Sequence, residues 1–193
     1  MTFYQPEKLP KLMVAPNGAR KIKKDHPAVP LTISETVETA KSCYEAGAGA
    51  IHLHVRDEEG QHVLDAGLYK EALNELEHQV PNMHIQVTTE AVGKYSPADM
   101  RKLAYDVTPP GASIGTSELI PSRNPENEDI KLYKYLTEAG TKIQHILYQP
   151  EDIDLLINLL NKAEIQINDA WCLFVIGHYS GRISYPENIS LFV

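Results

Sequence analysis

The sequence predicts an α/β protein of the TIM-type (β/α) barrel class, incomplete, with about six of the eight βα units present. One observation is that six strand-like and five helix-like segments alternate strictly along 193 residues, with roughly 30 residues in each unit. Another is that polar residues follow the strand ends in successive units, as they would around one barrel mouth. We expect residues 1–193 to form a single truncated barrel domain.

Short apolar runs bounded by turn residues predict the strands. The predicted strands are, in chain order, residues 12–15, 50–55, 84–88, 112–115, 142–147 and 170–176. The turn after the first strand, Ala-Pro-Asn-Gly-Ala at 15–19, lacks the Gly-X-Gly-X-X-Gly spacing of a doubly wound nucleotide-binding sheet. The barrel is therefore favoured over an open sheet.

Capping residues and glycines predict the ends of the helices. Ser34 is the expected cap of the first helix, and Glu-Ala-Gly-Ala-Gly at 45–49 ends that helix and turns into the second strand. Ser96 followed by Pro97 opens the third helix, and Gly140 ends the fourth. The predicted helices are one from Ser34, residues 68–78, one from Ser96, residues 126–139 and residues 150–162.

Two histidines at the end of the second strand give the strongest functional signal. His52 and His54 are separated by one residue, so in a strand both imidazoles lie on one face, about 7 Å apart along the backbone. This spacing, followed at once by Arg56 and Asp57, predicts a divalent metal site. The alternative is that the two imidazoles hydrogen-bond to each other or to a neighbouring carboxylate. No pairing that suggests a metal is found for the histidines at 62, 78, 84, 145 and 178.

Charge and composition restrict the partners. A formal charge of −8 argues against binding to nucleic acid or to an anionic membrane. The basic run at 20–24 favours a small acidic ligand. Because Cys43 and Cys172 are the only cysteines, no secretory leader is recognisable and no apolar run approaches the ~20 residues that cross a bilayer, we expect a cytoplasmic protein.

Four segments within the first 70 residues form a characteristic series. They are APNGAR at 15–20, HPAVP at 26–30, HLHVRD at 52–57 and LDAGLY at 64–69. Together with two later segments, at 146–148 and 173–177, they resemble the β-keto acid cleavage enzymes. The resemblance covers essentially the whole chain, and the order and spacing of the segments make it more specific than any single motif.

The resemblance implies a TIM-barrel metalloenzyme, usually zinc-dependent, that condenses a β-keto acid with acetyl-CoA and yields acetoacetate and a new acyl-CoA. His52 and His54 match the two histidine ligands of Zn²⁺ or another divalent metal, and acetyl-CoA is the co-substrate. Thr88 matches a serine or threonine on strand three that contacts the substrate.

Polar residues at the strand ends are predicted to bind the substrate. They are Asn17, Arg20, Thr88, Thr89, Glu90 and Ser117. The best-known family member has a glutamate at the position of Arg20, and this change favours contact with an anion. Arg56 is predicted either to act with Thr88 as a catalytic residue that binds a substrate carboxylate or to form an ion pair with Asp57. Glu90 also fits a solvated loop carboxylate.

Family members continue beyond Val193 through strands seven and eight, which carry a glutamate as the third metal ligand. Six strands cannot close an eight-stranded barrel, so we expect a homo-oligomer in which a neighbouring subunit covers the open edges. Water, a substrate group or a partner subunit would supply the third ligand. Two other functions stay open, a catalytically impaired protein that binds a metal or acyl-CoA and a metal-dependent hydrolase. Metal-dependent hydrolases with a His-X-His pair place that pair on strand one. Because the pair in this chain lies on the second strand, the hydrolase alternative is weakened.

Overall fold

A computed structural model describes residues 4–6, 8–177 and 184–192. The strands are β1 (Met13–Val14), β2 (Ala50–Leu53), β3 (His84–Thr88), β4 (Gly111–Gly115), β5 (Lys142–Leu147) and β6 (Trp171–Phe174). The helices are α1 (Ile33–Glu45), α2 (Ala66–Gln79), α3 (Pro97–Val107), α4 (Thr116–Leu119), α5 (Asn127–Glu138) and α6 (Glu151–Ala163). Short 3₁₀ helices cover Ile167–Asp169 and Pro186–Phe192.

The fold is α/β, an incomplete TIM-type (β/α) barrel as predicted. The strand order in the sheet follows the chain, β1-β2-β3-β4-β5-β6. The pairs β1–β2, β2–β3 and β5–β6 are parallel. Helices connect successive parallel strands, which is the alternation that the sequence pattern indicated.

Backbone contacts divide the chain into two compact units. The first comprises Met1–Thr88 and Asp106–Ala112, and the second comprises Thr89–Tyr105 and Ser113–Val193. The single barrel domain over residues 1–193 stays a prediction. In the described part of the chain, no helix has both the length and the apolar character needed to cross a bilayer.

Helix α2 shows how the first unit builds its core. Tyr69, Ala72, Leu73 and Leu76 recur at helical spacing and are all at most 1% exposed. In the second unit, α6 buries Leu155, Leu156, Leu159, Leu160 and Ala163 in the same way. The apolar faces of α2 and α6 pack against strands of their own units, and the polar side chains project from those strands.

Several element boundaries differ from the predictions for identifiable reasons. Thr32 rather than Ser34 caps α1, because the Thr32 side chain accepts from the Glu35 amide at 3.2 Å while the Glu35 carboxylate accepts from Thr32 N, which is a capping box. Asp65 caps α2, so this helix begins two residues early, at Ala66. The single turn of α4 was not predicted.

Candidate metal centre

The two histidines predicted as a metal pair lie together at the carboxyl end of β2. His52 is half-buried in the strand, and His54 follows the strand with 3% of its surface exposed. Their Nε2 atoms are 3.0 Å apart and their rings are inclined at 67°. The pair therefore shares one face as predicted, at a distance that also allows the hydrogen bond of the alternative interpretation.

Gln86 sets the tautomer of His52. In the parallel pairing of β2 with β3, Gln86 lies opposite His52, and its Oε1 is 2.6 Å from His52 Nδ1. An amide oxygen only accepts, so His52 donates from Nδ1, and in the neutral form of the ring the lone pair lies on Nε2. The nitrogen that faces His54 is thus the one able to bind a cation.

Burial keeps His54 neutral. Loss of hydration lowers the pKa of His54 well below its ordinary value, and the charges of His52 and His62 lower it further. A neutral imidazole is the form that binds a metal ion. The low pKa of His54 therefore leaves its lone pair available to a metal ion at neutral pH.

A third histidine, for which the sequence suggested no pairing, contacts His54. His62 is 4% exposed, and its Nδ1 is 3.4 Å from His54 Nδ1. An antiparallel bridge between Arg56 and His62 brings it there. The sequence feature that could have predicted this contact is the turn at 57–60, Asp-Glu-Glu-Gly. There the Gly60 amide donates to the Asp57 carbonyl at 2.9 Å, and the chain reverses direction.

The residues present fit a divalent ion in part. Two nitrogens bound to one tetrahedral zinc lie about 3.3 Å apart, so the observed 3.0 Å between the Nε2 atoms of His52 and His54 needs a change of only a few tenths of an ångström. His62 faces the opposite nitrogen of His54 and does not converge on the same point. Within residues 4–6, 8–177 and 184–192, no group of three or more His, Cys, Asp or Glu side chains is arranged to hold a metal.

Arg56 bonds through its guanidinium to the carbonyls of two loops. Its side chain is buried, with Nη1 donating to the Gly60 carbonyl at 2.7 Å and Nη2 donating to the Gly18 and Lys21 carbonyls at 2.6 and 3.0 Å. Burial lowers the pKa of this guanidinium. These bonds tie the loop after β1 to the turn after β2.

Asn17 supports the same strand end. It is 4% exposed and its Nδ2 donates to the carbonyls of Pro30 and His54, both at 3.1 Å. Because the His54 carbonyl bonds to Asn17, the strand stops at Leu53 and not at 55 as predicted. Asn17 therefore contributes to the position of the histidine pair.

Two other predicted site residues belong to the first unit. Thr88 ends β3 and is 1% exposed, and because side chains alternate along a strand it lies on the same face as Gln86. Arg20 is exposed on the loop after β1, and its charge is among those that lower the pKa of His54. The structure thus gathers Asn17, Arg56 and Thr88 with the histidine pair in one unit.

The remaining predicted residues belong to the second unit. Thr89 Oγ1 donates to the Ser113 carbonyl at 3.0 Å, and Ser117 Oγ donates to Asp152 Oδ2 at 3.2 Å. Glu90 is half-buried. Two of these side chains therefore already serve contacts within their own unit.

The fold and the histidine pair define an α/β protein with a candidate metal centre at a strand end, and comparisons with known proteins place it further. The family model for beta-keto acid cleavage enzymes matches residues 11–193. This chain belongs to the beta-keto acid cleavage enzyme family.

Two curated relatives are enzymes of related names. A 3-keto-5-aminohexanoate cleavage enzyme from Acetoanaerobium sticklandii is 30% identical over 89% of this chain and 64% of its own length. A 3-oxoadipate:acetyl-CoA acetyltransferase from Cupriavidus necator is 32% identical over 60% of this chain and 40% of its own length. The chain thus spans between two fifths and two thirds of the curated relatives described here.

A solved structure supports the fold alone. A ternary complex of ObcA with a C4-CoA adduct and oxalate matches with a TM-score of 0.58 at 15% identity. The match covers 81% of this chain and 40% of that chain.

Proposed function

We propose that this chain carries the metal-binding part of a β-keto acid cleavage site. The reaction would condense a β-keto acid with acetyl-CoA and give acetoacetate and a new acyl-CoA. The observation that carries the proposal is the convergence of two imidazole nitrogens, His52 Nε2 and His54 Nε2, 3.0 Å apart. Membership of the family and the names of the curated relatives support the class of reaction.

The proposed role of each residue follows from its contacts. His52 and His54 would hold Zn²⁺ or another divalent ion through Nε2. The ion, when bound, would act as a Lewis acid on the keto oxygen of the substrate. Thr88 is the proposed substrate contact, since it lies at the end of β3 on the face of Gln86.

We propose that Arg56 positions a loop and does not itself bind the substrate carboxylate. Its Nη1 and Nη2 atoms donate to carbonyls of Gly60, Gly18 and Lys21, so we assign it to holding the loop that carries Asn17 and Arg20. Arg20, which is exposed and cationic, is the proposed contact for an anionic substrate group. Thr89, Glu90 and Ser117 stay as proposed substrate contacts at the later strand ends.

Incubation of the zinc-loaded chain with acetyl-CoA and a panel of β-keto acids tests the function. We expect mass spectrometry to detect acetoacetate and a new acyl-CoA. The product should vanish in His54→Ala and persist in His78→Ala, because His78 is exposed on α2. Zinc binding with no acyl-CoA from any β-keto acid would favour the impaired binding protein, and hydrolysis of acetyl-CoA or another ester would favour the hydrolase.

We also propose that the protein is a cytoplasmic homo-oligomer. Leu173 and Phe174 of β6 are 43% and 36% exposed, and Leu191 is 58% exposed, so apolar surface is available for association. Light scattering at micromolar concentration should show a mass above that of one chain. A stable monomer with a cooperative thermal transition would contradict the association.

A further inference from the structure

The second nitrogen of His54 faces another imidazole. His62 Nδ1 lies 3.4 Å from His54 Nδ1, with ring centroids 5.0 Å apart and planes inclined at 62°. Both side chains are almost fully buried. Gln86, His52, His54 and His62 therefore form one row in which each side chain contacts the next.

Counting protons along this row restricts its tautomers. A hydrogen bond needs one donor and one acceptor, and the lone pair of His52 Nε2 faces His54 because Nδ1 keeps its proton and donates it in the hydrogen bond to Gln86 Oε1. When all three rings are neutral and no metal is bound, His54 donates from Nε2 to His52. The Nδ1 atom of His54 then carries a lone pair, and His62 must donate to it from Nδ1.

A metal ion shared by His52 and His54 requires the opposite tautomer of His54. Both Nε2 atoms must then present lone pairs, so the proton of His54 moves to Nδ1 and needs an acceptor there. In the part of the chain that the structure describes, only His62 Nδ1 lies within hydrogen-bond distance of that atom. His62 becomes the acceptor when its own proton moves to Nε2.

We propose that His62 is a positioning residue that accepts the Nδ1 proton of His54 and so holds His54 in its metal-binding tautomer. The inference rests on the metal site of the proposed function and names a residue of this chain beyond that pair. Protons balance, since the three rings carry three before and after the ion binds, and none is released. A partner of this kind typically changes metal affinity by about 10–100-fold.

Cobalt titration of four proteins tests the proposal, with the visible absorption of bound Co²⁺ as the readout. They are the wild type, His62→Leu, His62→Asn and His78→Leu. Leucine fills space but accepts no hydrogen bond, whereas the asparagine side-chain oxygen can occupy the position of Nδ1. His78 is an exposed histidine on α2 and serves as the matched control.

We expect His62→Leu to weaken Co²⁺ binding by about 10–100-fold. His62→Asn should restore affinity to within about threefold of the wild type, and His78→Leu should leave it unchanged. Equal affinity in His62→Leu and the wild type would overturn the inference and leave the metal site intact. Equal weakening by leucine and asparagine would also overturn it, because only the shape of the ring would then matter.

Nitrogen NMR of the histidine rings gives a second readout that does not depend on folding of a variant. In the zinc-loaded wild type, His54 should be protonated at Nδ1 and His62 unprotonated at Nδ1. In the metal-free protein, His54 should be protonated at Nε2. An unprotonated Nδ1 on zinc-bound His54 overturns the role of His62, whereas a wild type that binds no metal overturns the metal site and the inference together.

Discussion

A buried polar cluster follows a strand in each of the two units, and the clusters differ in how fully their groups are satisfied. In the first unit, the Nε2 atoms of His52 and His54 face each other at 3.0 Å. In the second unit, the carboxylate of Asp152 is completely buried after β5 and has several donors around it.

The donors around Asp152 leave little for a ligand to add. Oδ1 accepts from Arg123 Nη1 at 3.0 Å, and Oδ2 accepts from the Tyr148 amide at 2.8 Å and from Ser117 Oγ at 3.2 Å. The charge is thus paired and hydrogen-bonded, which is the condition under which a folded protein tolerates a buried carboxylate and loses stability when it is removed. In contrast, the rings of His52, His54 and His62 can form their hydrogen bonds in two tautomeric arrangements. In one of them the Nε2 lone pairs of His52 and His54 face each other, and this arrangement needs a cation between them. The saturated Asp152 carboxylate therefore suits a structural role, whereas the histidine row is the cluster that we propose binds a cation.

The largest effect on stability is expected from Asp152→Ala. Loss of the carboxylate leaves Arg123 and the buried amide of Tyr148 without their partner, so the free energy of unfolding should fall by about 3–5 kcal/mol. Denaturant unfolding measures the change, with Asp154→Ala as the control because Asp154 is exposed in the first turn of the same helix. Equal denaturant midpoints for the two variants would contradict a stabilising role of Asp152. Retained stability with loss of metal affinity in Asp152→Ala would contradict it as well.

A smaller effect is expected from pH, through His145 in β5. This ring is buried and donates from Nδ1 to the Trp171 carbonyl, and burial lowers its pKa to about 4. Between the ordinary value of 6.5 and pH 4 the unfolded chain binds more protons than the folded chain, so stability falls as the pH falls. The loss should approach about 3 kcal/mol near pH 4.

Unfolding of the wild type and His145→Gln at pH 7 and pH 4.5 checks this dependence. The variant has no group with that pKa, so its stability should change less between the two values. Identical pH dependence in the two proteins would show that His145 does not control the acid stability of the second unit.

The sequence predicted the positions of residues that depend on short-range periodicity. His52 and His54 share a face because side chains alternate in a strand, and α3 begins at Pro97 because a serine cap and a proline define a helix start. Both inferences need only neighbours in the chain, and both are confirmed.

Residues that depend on the path of a loop were harder to predict. His62 reaches His54 only because the chain reverses at 57–60, and Arg56 meets the Gly18 and Lys21 carbonyls only once the loop after β1 is folded. Every residue has a backbone carbonyl, so the sequence cannot indicate which carbonyls Arg56 contacts. The sequence therefore predicted only the two side-chain or ligand partners, Asp57 and a substrate carboxylate. Likewise, Thr32 and Ser34 are both good caps, and the Glu35 contact decides between them.

The metal content of the purified chain tests the central claim most directly. Protein prepared without chelator would be analysed for zinc as the wild type, as the His52→Ala, His54→Ala double variant and as His78→Ala. We expect about one zinc per chain in the wild type and in His78→Ala, and essentially none in the double variant, because the shared Nε2 ligands are lost. Equally little zinc in all three proteins would contradict the proposed centre and leave the histidine pair as a hydrogen-bonded structural element.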